Sequence, residues 1–194
     1  EIELNKYWNL PTTVHKKTEK ETIEDLSLEF EESIERHMVA DVPVSAFLSG
    51  GLDSSLISVA ANKINDNLST YTIGTSEEDK KIENMPEDEK YAKYLAELHS
   101  FDHNEIVINS DIVTMLPKMV KTLDEPIGDP AALNTYLICK ASRDKGVKVL
   151  LSGMGADEIF CGYRRQKALL LSKRYKKIPN IARIPIKNIV NILP

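Results

Sequence analysis

The segment SGGLDSS, residues 49–55, combines small, hydroxyl and acidic residues that can bind a chain of phosphates. It follows the apolar run Val44–Leu48, which predicts a buried strand, and it opens the stretch 52–64, which predicts an amphipathic helix. The N–H groups of a helix N-terminus favour anions, and adjacent glycines let the backbone approach a phosphate closely. Asp53 adds a carboxylate for a divalent cation. These residues predict a polyphosphate-binding turn; the alternative is an ordinary strand–helix turn with incidental serines.

A second segment of this kind, SGMGADEIFCGY at 152–163, follows the apolar run 147–151. It also predicts a strand that ends in a glycine turn and opens a helix with acids in its first turn. Ligands of parallel sheets bind outside the carboxyl ends of the strands, so we expect the two turns to face each other there. Asp53 and Asp157 can then bind one Mg²⁺ between them. The alternative for Asp157 is favourable charge at a helix N-terminus.

Strands and helices must alternate along the chain to position these two turns. The sequence predicts strands at 44–48, 69–73, 104–108 and 147–151, and helices at 18–38, 52–64, 86–99, 110–123 and 131–144. Thr18 and Glu21 form a capping-box pattern at the first helix, and the polar run 74–86 predicts a loop. This order predicts an α/β domain whose mainly parallel sheet is covered by helices on both faces.

Length and charge limit the classes of function. The 194 residues predict one domain, and a net charge of −5 gives no general case for nucleic-acid binding. No acid follows Glu158, whereas nine Lys and Arg residues do. This basic end indicates a polyanion partner, a membrane surface or a solvated helix face. The helix face is favoured, because Leu169–Leu171 suit a helix that packs on the core.

Cysteine content and hydropathy favour the cytoplasm. Cys139 and Cys161 are the only cysteines, and their spacing fits neither a disulfide framework nor a zinc site. No apolar run is long enough to span a bilayer, so no membrane association is expected.

The spacing of residues 49–55 fits neither a Walker P-loop nor a Rossmann glycine motif. It resembles the PP-loop, SGGxDS, of ATP pyrophosphatases, which split ATP into AMP and pyrophosphate. With SGxGADExFxGY about a hundred residues later, the chain resembles the synthetase domain of the asparagine synthetase family. Residues 124–137, DEPIGDPAALNTYL, and 6–10, KYWNL, resemble further segments of that family, the second being the junction after its glutaminase domain.

The resemblance implies a fold like that of the adenine nucleotide α-hydrolases, with ATP and Mg²⁺ as cofactors. It also implies a two-step reaction. A substrate carboxylate attacks the α-phosphorus of ATP, and ammonia from a glutaminase domain then displaces AMP to form an amide. The implied ATP-binding residues are Leu48, Ser49, Gly50, Gly51, Asp53, Ser54, Ile73, Ser152 and Gly153, and the implied magnesium ligands are Asp53 and Asp157.

Three departures from the family pattern bear on activity. Residues 1–17 are expected to be a lead-in from a glutaminase domain that is absent, 18–178 the synthetase domain, and 179–194 a cut tail. A lysine that the family uses in adenylation lies beyond the chain, so the fragment alone is expected to be inactive. Met154 stands where asparagine synthetases carry an acid, so no catalytic residue is predicted.

Met154 has two interpretations. It is a tolerated packing substitution in a relative with a different amide acceptor, or it marks a substrate other than aspartate, as in β-lactam synthetase-like or sugar-amidating relatives. A rival function is a non-catalytic nucleotide-binding or assembly module. The sequence does not predict an oligomeric state.

Overall fold

The computed structural model describes residues 2–13, 16–75, 88–108, 112–125, 127–129, 131–179 and 183. Within these residues, each strand is followed by one or two helices. In order they are α1 (Glu19–Met38), β1 (Val44–Phe47), α2 (Leu52–Asn62), β2 (Ser69–Thr75), α3 (Asp88–His99), β3 (Asp102–Ile108), α4 (Ile112–Leu123), α5 (Ala131–Asp144), β4 (Val149–Leu151), α6 (Ala156–Phe160) and α7 (Arg164–Lys176). The predicted α/β class is confirmed.

Four parallel strands form one sheet in the order β3-β2-β1-β4. In the interior strand β1, Ala46 lies opposite Thr70 of β2 and opposite Leu151 of β4. The pairing continues one residue beyond β1, because the Leu48 N–H donates to the Tyr71 carbonyl over 2.9 Å. The first glycine turn therefore leaves the carboxyl end of an interior strand, as the sequence predicts.

Helices cover both faces of the sheet. On one face α2 contacts β1, α3 contacts β2 and β3, and α1 packs on α2. The buried core of this face includes Val44, Ala46, Leu48, Ala60, Ala61, Ala92 and Ala96. On the other face α5 contacts β2 and β3, and its Ile138 packs with Tyr71 and Val147. Successive side chains of a strand point to opposite faces, so these buried strands contribute to both cores.

Strand pairing sets boundaries that differ from the predicted ones. β2 and β3 pair without a break from Ser69 opposite Asp102 to Thr75 opposite Ile108. β2 thus includes the first two residues of the predicted loop 74–86, and the remainder of that loop, 76–86, lies outside the described residues. β4 is shorter than predicted, since its pairing with β1 extends only over Val149–Leu151.

The predicted packing of α7 is wrong. Leu169, Leu170 and Leu171 are each more than half exposed instead of buried in the core. The helix follows the second glycine turn at the β4 edge of the sheet, where no described element buries these leucines. Its basic residues are also exposed, in agreement with a solvated face.

The two ends of the chain contribute little to the described core. Tyr7 is 99% exposed and Trp8 60% exposed, so the described residues do not bury the aromatic side chains of the predicted lead-in. Of the predicted tail 179–194, only Pro179 and Arg183 are described. In the described part of the chain, no helix is both long and apolar enough to cross a bilayer.

Candidate functional site

Internal hydrogen bonds hold the first glycine turn together. The Ser54 hydroxyl accepts the Ser49 N–H over 3.2 Å and donates to the Gly51 carbonyl over 3.1 Å. The Ser55 hydroxyl donates to the same carbonyl over 2.7 Å, and the Ser49 and Ser54 hydroxyl oxygens lie 2.9 Å apart. The sequence predicts these hydroxyls as donors to an anion, but in the structure Ser54 and Ser55 shape the turn itself.

Gly50 occupies the tightest point of this turn. Its φ of +79° lies in the left-handed region that favours glycine. A Cβ at this position would stand 2.2 Å from the Asp88 carbonyl oxygen at the start of α3. A side chain at position 50 therefore cannot be accommodated unless the turn moves away from α3.

The second glycine turn lies directly against the first. A Cβ on Gly153 would stand 3.0 Å from the Asp53 Cβ and 3.1 Å from the Ser54 backbone nitrogen. This contact follows from the direct pairing of β1 with β4, which brings the carboxyl ends of both strands to one edge of the sheet. The expectation that the two turns face each other is confirmed.

Two adjoining clefts open at this edge of the sheet. The first has a volume of about 430 Å³, and the second has a volume of about 300 Å³. The predicted site residues that line the first cleft are Ser49, Gly51, Asp53, Ser54, Ser152, Gly153 and Asp157, together with Met154. Leu48, Ser49 and Ile73 line the second. Gly50 lines neither cleft and instead contacts the start of α3.

Several lining residues were not predicted as site residues. They are Phe47, Tyr71, Thr72, Asp88, Glu89, Ala131, Asn134, Thr135, Ile138, Gly155, Glu158 and Tyr163. Glu158 and Tyr163 belong to the second motif, so the sequence carries a signal for them. Asn134 and Thr135 lie within the segment 124–137 that resembles the family, but the sequence predicts no site role for them, and α5 brings them to the clefts by packing across the sheet.

Acidic groups and helix N-termini dominate the electrostatics of both clefts. The acidic residues that line them are Asp53, Asp88, Glu89, Asp157 and Glu158, and no Lys or Arg is among the described lining residues. First-turn residues of α2, α3 and α5 also contribute to the walls. The positive ends of these helices therefore supply the fixed positive potential of the described site.

Tyr163 forms one wall of the first cleft and is held from two sides. Its hydroxyl donates to the Glu158 carboxylate, and this bond lowers the pKa of Glu158 and raises the pKa of Tyr163. The Arg165 guanidinium lies over the ring, 4.4 Å from its centroid, in a cation–π contact. Arg165 thus packs on the outer wall of the site.

Met154 lines the first cleft with a side chain that is 85% exposed. Its N–H donates to the Ser152 hydroxyl over 3.2 Å, which helps to shape the second turn. Because the side chain is so exposed, packing within the described part of the chain does not account for a methionine here.

The predicted magnesium ligands Asp53 and Asp157 line the same cleft. Among the described residues, no group of three or more His, Cys, Asp or Glu side chains is placed to hold a metal ion. A cation bound by these two carboxylates would therefore need further oxygen ligands, such as phosphate oxygens and water.

The chain is similar in sequence to known asparagine synthetases. The chain is 32% identical over 163 residues to glutamine-hydrolyzing asparagine synthetase 1 of Bacillus subtilis. The match covers 84% of this chain and 25% of that protein. It is 36% identical over 172 residues to a putative glutamine-hydrolyzing asparagine synthetase of Mycobacterium bovis. That match covers 88% of this chain and 25% of that protein. The chain thus spans about a quarter of the length of these relatives.

Among solved structures, an NH3-dependent NAD synthetase from Campylobacter jejuni in complex with nitrate matches with a TM-score of 0.49 and 15% identity. The match covers 72% of this chain and 60% of that one. Residues 25–191 match the model of the Asparagine synthase family. With most of its length matched by that model, and with both glycine turns inside the match, the chain belongs to the Asparagine synthase family.

Proposed function

We propose that this chain is the ATP-binding part of an amide-forming synthetase that adenylates a carboxylate. The observation that carries the proposal is the contact of Gly153 with Asp53 and Ser54, which joins two glycine turns into the wall of one cleft. A single helix N-terminus can bind many anions, whereas two facing glycine turns suit an extended polyphosphate. In this proposal, residues 18–178 form the nucleotide-binding unit.

The two clefts suggest how ATP would lie. Adenosine would occupy the smaller cleft, where Ile73 and the buried Leu48 contribute backbone and Tyr71 and Thr72 complete the wall. The triphosphate would follow the two turns into the larger cleft. Ser49 lines both clefts, so ATP would pass Ser49 where it extends from the smaller cleft into the larger one.

Magnesium fits the acidic character of the larger cleft. A triphosphate placed against Asp53, Asp157 and Glu158 would be repelled, since no Lys or Arg lines the described part of this cleft. Asp53 and Asp157 would hold Mg²⁺, which neutralises phosphate charge when it is bound. Hard cations of this kind prefer carboxylate and phosphate oxygens as ligands.

The proposed reaction needs orientation and charge stabilisation rather than a protein nucleophile. The substrate carboxylate attacks the α-phosphorus of ATP, pyrophosphate leaves, and ammonia from a glutaminase domain displaces AMP from the acyl-adenylate. Met154 supplies neither a base nor a magnesium ligand at the cleft, which favours a carboxylate acceptor other than aspartate.

Calorimetric titration of this chain with ATP tests the proposal. We expect binding with Mg²⁺ and about tenfold weaker binding after EDTA treatment, a difference of roughly 1.4 kcal/mol. Asp53→Asn and Asp157→Asn should each reduce the affinity for Mg-ATP, whereas Asp66→Asn should not, because the exposed Asp66 lines neither cleft. Equal affinity for ATP with and without Mg²⁺ would contradict the magnesium assignment.

A second candidate function is a nucleotide-binding module without catalysis, which the uncharged, exposed Met154 favours. Exchange of labelled pyrophosphate into ATP, measured with a panel of carboxylates, separates the two. Exchange that depends on one carboxylate supports the synthetase. Tight Mg-ATP binding without exchange for any carboxylate supports the module.

A further inference from the structure

Four of the described residues line both clefts: Phe47, Ser49, Asn134 and Ile138. Phe47 and Ile138 are apolar, and the Ser49 hydroxyl is already engaged with Ser54 and the Gly51 N–H. Asn134 is exposed, and its carboxamide forms no hydrogen bond with any described residue. At the junction of the two clefts, Asn134 therefore presents the polar side chain that is available to a ligand.

The start of α5 fixes the position of Asn134. Asp129 caps this helix, since its carboxylate accepts the Ala131 N–H over 2.9 Å and its carbonyl accepts the Ala132 N–H over 3.1 Å. One turn after Asn134, Ile138 is buried against Tyr71 and Val147 on the sheet. Asn134 lies between these two anchors, so its backbone is held while its side chain faces an open space.

The position of Asn134 where the two clefts meet indicates which part of a bound ATP it would contact. If adenosine lies in the smaller cleft and the β- and γ-phosphates lie along the glycine turns, then the α-phosphoryl group lies where the clefts meet. A carboxamide offers two N–H donors without a charge. Such donors bind a phosphoryl oxygen, and they stabilise the charge that develops there during attack by a carboxylate.

We propose that Asn134 contacts the α-phosphoryl group of bound ATP and orients it for attack. This inference rests on the proposed function. It assigns a role to a residue that lies outside both glycine motifs. No lysine or arginine lines the described part of the junction. Loss of the Asn134 donor would therefore not be masked by a nearby cation and should weaken the binding of ATP.

The test compares Asn134→Ala and Asn134→Asp with the unchanged chain by titration with Mg-ATP. Loss of one hydrogen bond to a charged oxygen should weaken binding about tenfold in Asn134→Ala. Asn134→Asp should weaken it further, because a carboxylate would face the phosphate. Asn65→Asp is the control: it adds the same charge at an exposed position that lines neither cleft, and it should bind Mg-ATP like the unchanged chain.

Thermal melting separates binding from folding in these variants. Asn134 is exposed and unbonded to the described residues, so both variants should melt at the temperature of the unchanged chain. Wild-type affinity in both variants would overturn the role of Asn134 and leave the proposed function intact. Absence of Mg-ATP binding by the unchanged chain would instead overturn the proposed function. A larger loss in Asn134→Asp than in Asn134→Ala is the result that a purely structural role would not produce.

Discussion

Gly153 and Asp53 are in close contact where the two glycine turns meet, and a side chain on Gly153 would fit only if its neighbours moved by a few tenths of an ångström. A Cβ on Gly153 would stand 3.0 Å from the Asp53 Cβ and 3.2 Å from the Asp53 carbonyl carbon. Two segments about a hundred residues apart in sequence are thereby fixed relative to each other. The geometry of the larger cleft depends on this contact.

Gly153→Ala should separate the two turns. Forcing a methyl group into this contact should lower the free energy of unfolding by about 1–3 kcal/mol. It should also weaken the binding of Mg-ATP if the proposed site is correct. Denaturant unfolding measures the first effect. Gly128→Ala is the control, since a Cβ there meets nothing within 4 Å. Equal stability of the two variants would show that the contact is looser than described.

Gly50→Ala and Gly146→Ala separate backbone strain from steric clash. Both glycines have positive φ, +79° and +85°, and alanine in the left-handed region costs roughly 1–2 kcal/mol. Only at Gly50 would the new Cβ also meet a backbone atom, the Asp88 carbonyl oxygen at 2.2 Å. Gly50→Ala should therefore lose clearly more stability than Gly146→Ala in denaturant unfolding. Similar losses would mean that α3 moves away freely.

His103 on β3 should make stability depend on pH. Burial lowers the pKa of His103 below its ordinary value of 6.5, and Lys93 lowers it further, while Glu105 and Asp102 oppose the shift. Its Nδ1 lies 2.9 Å from the Thr70 hydroxyl, and its buried Nε2 has no partner among the described residues. The folded state therefore favours the neutral ring.

The direction of the pH dependence of stability follows from the lowered pKa of His103. The unfolded chain binds a proton at His103 more readily, so stability is complete above pH 6.5 and falls as the pH decreases through the folded pKa. The melting temperature should decrease between pH 7.5 and pH 5.5, and His103→Gln should reduce that decrease. An identical decrease in both proteins would assign the pH dependence to other groups.

Thr18 should contribute to stability through the capping box of α1. Its hydroxyl accepts the Glu21 N–H over 3.3 Å, and the Glu21 carboxylate accepts the Thr18 N–H over 2.8 Å. Thr18→Ala removes the hydroxyl and should lower the free energy of unfolding by about 1 kcal/mol. Thr18→Ser keeps the acceptor and should retain most of this stability. The two variants are compared by denaturant unfolding, and equal losses would rule out the cap as the cause.

Local patterns in the sequence predicted much of the fold. The capping box of α1, the apolar strand before SGGLDSS and the alternation of strands and helices were all confirmed. These features depend on residues close in sequence, through hydrogen bonds within a turn and through the period of apolar residues. The meeting of the two glycine turns was also predictable, because parallel strands bring their carboxyl ends to one edge.

Side-chain burial was less predictable, because it depends on which elements pack over a face. The period of α3 places Tyr91, Tyr94, Leu95 and Leu98 on one side. Leu95 packs against the core, whereas the other three are about 60% exposed. Ala92 and Ala96 are the buried residues of α3, on the face that contacts β2 and α2. Leu169, Leu170 and Leu171 of α7 are exposed for the same reason, because no described element packs over them.

The two glycine motifs were determined by the sequence alone, because their residues are adjacent in the chain. Tertiary structure decided that Asn134 stands at the junction of the clefts and that Gly153 touches Asp53. It also decided that the described walls carry acids and helix N-termini instead of lysines and arginines. These facts arise from the packing of α5 and β4 around β1 and β2, which joins segments that share no local pattern.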